Sequence, residues 1–273
     1  MKKILLLTSL IFITFGCTKP HSTQDKRYIV TSPEIAEIIC LIEGPANIVG
    51  VTLECDYPPE LKQIEKVGNF GNVNMEKVIS LDPSIVFTSG LEQELLTSKL
   101  NKIKLNVKQF YPGSIKEMLN SIRDIGELLG KQERAFIIAD SLQNIIDSIS
   151  STQFTYIPSV YLEIYNDPIM SVSDNSFVGE LITLAGGKNI FPKLPRDYAR
   201  VKAEDVIIAD PDVIITTCPA ESIKLRKGWE VISAVKNNRV YAANDIDPDL
   251  IIRAAPRFIK GVKQLQKILH DEK

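Results

Sequence analysis

Glu76-Lys-Val-Ile-Ser-Leu-Asp-Pro-Ser-Ile-Val-Phe-Thr88 and, 128 residues further on, Glu204-Asp-Val-Ile-Ile-Ala-Asp-Pro-Asp-Val-Ile-Ile-Thr216 are two copies of one pattern. Glu, Val, Ile, Asp, Pro and Thr coincide in six of thirteen places. Each copy reads as a short helix that stops at Asp-Pro, because proline disfavours the helical conformation at the residue before it. The continuous apolar run that follows suits a parallel strand covered on both faces. Two such copies predict two similar α/β lobes.

Working outward, the segment between the copies is helical. Residues 114–129 are amphipathic and close on Gly130, a C-terminal cap. Residues 131–150 place Ala135, Ile138, Leu142, Ile145 and Ile149 on one face and contain no Gly or Pro. Twenty helical residues span about 30 Å, enough for a rigid spacer between lobes. Upstream, residues 28–30 read as a strand, Ser32-Pro33 as a helix start, and residues 48–53 as a second strand. Downstream, strands are expected at 159–164 and 240–242, and helices at 177–184, 229–235 and 256–270. This divides the chain into an N-terminal lobe (27–112), a helical linker (113–152) and a C-terminal lobe (153–273).

Composition narrows the function. The 273 residues are 44% hydrophobic and 24% charged, as in folded soluble proteins, and at roughly 150 residues per domain the length allows two. With 32 basic and 34 acidic residues the formal charge is −2, so no broad basic surface recruits nucleic acid. The only histidines, His21 and His270, lie near the ends. That weighs against a His general base and against a metal site built on His ligands. Phosphate-loop, His-Glu-x-x-His, Gly-x-Ser-x-Gly and dinucleotide-glycine motifs are absent, which favours binding over catalysis.

Met1-Lys2-Lys3 followed by the apolar residues 4–15 fits a secretory signal over 1–16, because a membrane-spanning helix needs ~20 apolar residues. Thr14-Phe15-Gly16-Cys17 resembles a bacterial lipobox, with Thr14 where Leu is usual. Cleavage there would leave Cys17 as the lipid attachment site and residues 17–26 as a tether. A periplasmic protein, lipid-anchored to a bacterial membrane, is expected. The remaining cysteines are Cys40, Cys55 and Cys218. Their odd number leaves one unpaired, and Cys40–Cys55 pairing stays open beside burial as small hydrophobes.

Several segments together resemble the periplasmic-binding family for iron siderophores and cobalamin. They are Arg27-Tyr-Ile-Val-Thr-Ser-Pro-Glu34, Val49-Gly-Val51, Cys55-Asp-Tyr-Pro-Pro59, Val67-Gly68 and Asn74-Met-Glu76 with Asp82-Pro83. Ala185-Gly-Gly-Lys-Asn189, the Glu204 helix, Gly228-Trp229 and Arg253-Ala-Ala-Pro-Arg257 follow in the same order. The resemblance implies two Rossmann-like lobes with parallel sheets joined by a single long rigid α-helix, and a ligand held between them. It implies a substrate-binding lipoprotein that feeds an ABC importer, with no catalysis, no resident cofactor and no metal ion bound by the protein itself.

By the same resemblance Glu76 and Glu204 would meet arginines on the two halves of a permease dimer. Against this stands a purely local role, since a Glu in the first helical turn gains ~0.3–1 kcal/mol from the helix dipole. Loops at strand C-terminal ends should line the cleft. Those loops nominate Tyr57, Phe70 and Ser89 from the first lobe, and Tyr165, Tyr198, Asp249 and Arg253 from the second. Asp249 and Arg253, four apart, also suit an ion pair on a helix face. The expected ligand is a metal chelate: a cobamide is favoured, with a ferric siderophore or haem as alternatives. A chelatase-like enzyme and an accessory protein without a small ligand are the competing functions.

Overall fold

The computed structural model describes residues 26–90 and 93–270. The signal segment, Cys17 and the tether up to residue 25 lie outside them.

The first lobe contains β1 (Tyr28–Val30), α1 (Pro33–Glu43), β2 (Ile48–Val51), the short pair β3 (Gly68–Asn69) and β4 (Asn72–Val73), and α2 (Met75–Ser80). It continues through β5 (Ile85–Ser89), α3 (Glu94–Lys102) and β6 (Val107–Phe110). Its main sheet runs β2-β1-β5-β6, all parallel. Then come α4 (Ile115–Leu129) and α5 (Gln132–Ser150).

The second lobe has β7 (Ser159–Asn166), β8 (Ile169–Val172), α6 (Phe177–Leu184), β9 (Lys188–Asn189), β10 (Tyr198–Arg200) and α7 (Ala203–Ala209). It ends with β11 (Val213–Thr216), α8 (Ala220–Lys224), α9 (Ser233–Lys236), β12 (Val240–Tyr241), α10 (Asp249–Ile252) and α11 (Phe258–His270). Its sheet runs β10-β8-β7-β11-β12, with β9 beside the start of β7. The strands β9, β7, β11 and β12 are parallel, while β8 runs antiparallel to both of its neighbours, β7 and β10. The antiparallel edge arises because β7 continues to Asn166 and turns back at once through Asp167-Pro168.

Both repeat copies fold alike. In each, a short helix (α2, α7) delivers the chain to an interior strand (β5, β11). The repeated aspartates adopt the same left-handed conformation, φ 45° at Asp82 and 43° at Asp210. Asp and Asn tolerate that region better than most residues because their short side chains bond locally. Asp210 accepts bonds from the Ser233 backbone N–H (2.6 Å) and hydroxyl (2.9 Å). The copies differ at their caps. Asn74 caps α2 by accepting from the Lys77 N–H at 3.1 Å, whereas Lys202 gives α7 no side-chain cap.

Ser114 caps α4, accepting from the Glu117 N–H, and Gly130 ends it at φ 69°. One apolar core then runs through both lobes. It includes Ile35 and Ile39 of α1, Met118 and Ile122 of α4, Ala135 and Ala139 of α5, and Phe177 and Phe258 beyond. The connecting helix α5 thus packs one face, Ala135, Ala139, Leu142 and Ile146, onto the core and leaves most of the rest exposed; Ile145, expected on the apolar face, is 37% exposed. A Cβ at Gly126 would fall 2.1 Å from the Ala135 Cβ, so α4 and α5 approach each other at that glycine. Cys40, Cys55 and Cys218 are free thiols. Burial pushes the Cys40 and Cys55 thiols up to about 12, which leaves them unreactive.

Candidate functional site

A cleft of about 680 Å³ opens where loops at the C-terminal ends of β5, β6 and β7 meet the first turns of α1, α6 and α10. From the first lobe come Glu34, Glu54, Phe70, Ser89 and Tyr111. From the second come Ile164, Met170, Phe177, Tyr198, Asp249, Ile252 and Arg253.

Of the residues nominated from sequence, Phe70, Ser89, Tyr198, Asp249 and Arg253 are brought together here. Tyr57 and Tyr165 are not among the lining residues. Tyr165 lies where the β7–β8 register shifts, and it is 52% exposed. Tyr57 lies instead over the Arg257 guanidinium, 3.9 Å from carbon to ring centroid. Ser89 is buried, and its hydroxyl faces a Glu34 oxygen at 3.4 Å. Burial pushes the Glu34 carboxyl above its usual range, against bonds from Ser32 and Ser89.

The Phe70 loop is held from two sides. Its N–H donates to Glu54 Oε2 at 2.8 Å, and its carbonyl accepts from Gln93 Nε2 at 2.9 Å. Gln93 is 2% exposed and serves four groups. Its Oε1 accepts from the Thr31 hydroxyl (2.6 Å) and the Ser89 N–H (2.9 Å), while Nε2 also reaches the Thr31 carbonyl (3.1 Å). One amide thus ties the ends of β1 and β5 to an aromatic wall of the cleft. Sequence reasoning passed over it, because nothing local marks a buried glutamine. We expect Gln93→Leu, which orphans several buried polar groups, to lower unfolding free energy by about 2–3 kcal/mol in denaturant titration. A variant with wild-type stability would show that these bonds are replaced by water.

Arg253 stands at the centre of an ionic cluster that joins the lobes. Its Nη1 meets Asp56 at 2.9 Å and Glu37 at 3.4 Å, and its Nη2 meets Asp249 at 2.7 Å. The four-residue spacing of Asp249 and Arg253 does produce a helical pair. Glu37, its side chain 3% exposed, also takes both donors of Arg257 at 2.7 Å. Burial opposes the charge on Asp56, but the Arg253 bond and charge outweigh it and hold that carboxyl below its usual range. Burial dominates at Asp249 and pushes its carboxyl up, despite Arg253.

A second buried cluster explains the Gly228-Trp229 segment. Gly228 turns at φ 85° and sends the buried Trp229 ring 4.2 Å over the Arg226 guanidinium. Arg226 grips Glu163 through two bonds (2.7 and 3.0 Å), and the Tyr161 hydroxyl donates to the same carboxylate at 2.8 Å. This cluster stiffens β7 behind the cleft and does not line it.

Glu76 and Glu204 are exposed in the first turns of α2 and α7. Neither carboxylate has a hydrogen-bond or ion-pair partner among the described residues.

A family profile described as periplasmic binding protein matches residues 29–252. The chain is 31% identical over 262 residues to an ABC transporter substrate-binding lipoprotein of Bacillus subtilis, YvrC, covering 91% of this chain and 81% of that one. It is 25% identical over 251 residues to the vitamin B12-binding protein of Photorhabdus laumondii, covering 90% and 88%. Among solved structures, the periplasmic vitamin B12 binding protein of Vibrio cholerae superposes with a TM-score of 0.72 at 25% identity, covering 89% of this chain and 96% of that one.

Proposed function

Because the chain belongs to the periplasmic binding protein family, we propose that it captures a corrinoid in the interlobe cleft and hands it to an ABC importer. The observation that carries this reading is the composition of the cleft walls. Phe70, Tyr111, Phe177 and Tyr198 surround a space of about 680 Å³ drawn from both lobes. Aromatic rings give large, rigid contact area at low entropic cost, which suits a flat macrocycle. The names of the B12-binding relatives agree with that choice. Cys17 would carry a lipid anchor, a reading supported by the name lipoprotein given to the Bacillus relative. Glu76 and Glu204 would meet the permease.

Haem is the second reading. Met170, Tyr111 and Tyr198 lie on the walls, and Met and Tyr are both side chains that ligate haem iron.

The test is calorimetric titration of the protein from Thr18 onward with cyanocobalamin, haem and a ferric catecholate in turn. Tight one-to-one binding of cyanocobalamin, with the other two much weaker, is the expected result. Tight haem binding with no corrinoid binding would overturn the corrinoid and leave the importer class standing.

A further inference from the structure

The charge of the cleft suggests a rule for its ligands, one that rests on the reading of the cleft as a chelate-binding site. Four charged residues line it among the described residues: Glu34, Glu54, Asp249 and Arg253. Arg253 offers the only cation, and its guanidinium is already committed. Asp56 and Glu37 hold one terminal nitrogen and Asp249 holds the other. Arg257, the next guanidinium of the cluster, is bound by Glu37 and covered by Tyr57. An anion entering the cleft would have to displace a carboxylate to reach either arginine. It would do so while facing Glu34 and Glu54.

A cation meets the reverse arrangement. Glu54 uses Oε2 on the Phe70 N–H, and its other oxygen has no bond among the described residues. At Glu34 the Ser89 contact to one oxygen is long, 3.4 Å. The surrounding walls are apolar, and low local polarity strengthens each of these charge interactions.

We propose that the cleft selects by charge: it accepts neutral or cationic chelates and rejects anionic ones, with Glu34 and Glu54 as the selecting residues. Burial favours the protonated form of Glu34, so its negative charge develops when an entering cation displaces that proton. Asp249 serves differently, as the partner that keeps Arg253 occupied.

The test uses charge-matched ligand pairs on the whole folded protein. Cyanocobalamin carries no net charge, and hydrolysis of one propionamide gives a monocarboxylate with one negative charge. The wild type should bind the monocarboxylate at least about tenfold more weakly. In the Glu34→Gln/Glu54→Gln protein that gap should narrow to about threefold or less, since glutamine keeps the shape and removes the charge. A gap of equal size in both proteins would overturn the charge rule while leaving corrinoid binding intact. Should the double variant fold poorly, each single variant should close part of the gap.

If no corrinoid binds, the functional reading fails by itself, and a second pair tests the charge rule. A ferric hydroxamate with a free terminal amine (net +1) should bind ahead of its N-acetylated form (net 0), and the order should level in the glutamine variants. Equal binding, or binding of neither form, would overturn the inference.

Discussion

Glu37→Ala should destabilise the protein by about 3–5 kcal/mol, because it strands two partly buried guanidinium groups. Arg257 loses both of its bonds to Glu37, each 2.7 Å, and Arg253 loses one of three carboxylates. The penalty comes less from lost attraction than from buried charge left uncompensated. Arg253 keeps Asp56 and Asp249, so Arg257 bears most of the cost. Equilibrium unfolding measures the effect. A companion variant isolates its cause: Arg257→Met on the Glu37→Ala background removes the stranded charge and should recover a large part of the loss. No recovery would mean that packing, not charge, holds this corner. The cluster also responds to acid. Asp56 is held below its usual carboxylate range, so its contribution is present at neutral pH and fades as pH falls through that lowered value. Because Asp56 is half exposed, that contribution is a minor part of the total.

What the sequence made legible is local. The helix–Asp-Pro–strand unit could be read twice because every part of it lies within thirteen residues. Both copies took the predicted helix, stop and strand; the left-handed aspartate they share at the stop was not foreseen. The long helix was legible for the same reason, from its spacing of apolar residues. Its burial was not, because its packing partners on α1 and α6 lie far away in sequence. Distance also hid Gln93, whose bond to Thr31 spans 62 residues, and Glu37, whose bonds to Arg257 span 220. Composition marks a lone glutamine or glutamate as surface, and only the assembled fold gives it partners. Two of the nominated aromatics lie off the cleft lining for a finer reason. Tyr165 falls where the β7–β8 register shifts, an irregularity that alternation along a strand does not foretell. Tyr57 has a cation at hand to cover, which sequence could not place beside it.

Joint replacement of Glu76 and Glu204 by alanine should cut ligand uptake into cells by about a hundredfold, while ligand affinity in solution stays within about twofold. The expectation follows from three facts. Each carboxylate is exposed and has no partner among the described residues, so no internal structure depends on it. The two occupy matching positions in the repeat, and one two-lobed surface can therefore present both to a two-fold permease. Charge pairs at such a rim set encounter rate and register, so removing one should weaken delivery several-fold and removing both should remove the steering altogether. The local alternative predicts a different pattern. If the glutamates serve only their helix dipoles, each alanine should cost at most ~1 kcal/mol of stability and leave uptake untouched. That cost should be larger at Glu204, because α7 lacks the side-chain cap that Asn74 gives α2. Uptake and thermal unfolding measured on both single variants and the double variant separate the two cases. Lost uptake with wild-type unfolding assigns the pair to docking, and the helix-dipole reading stands if unfolding shifts and uptake does not.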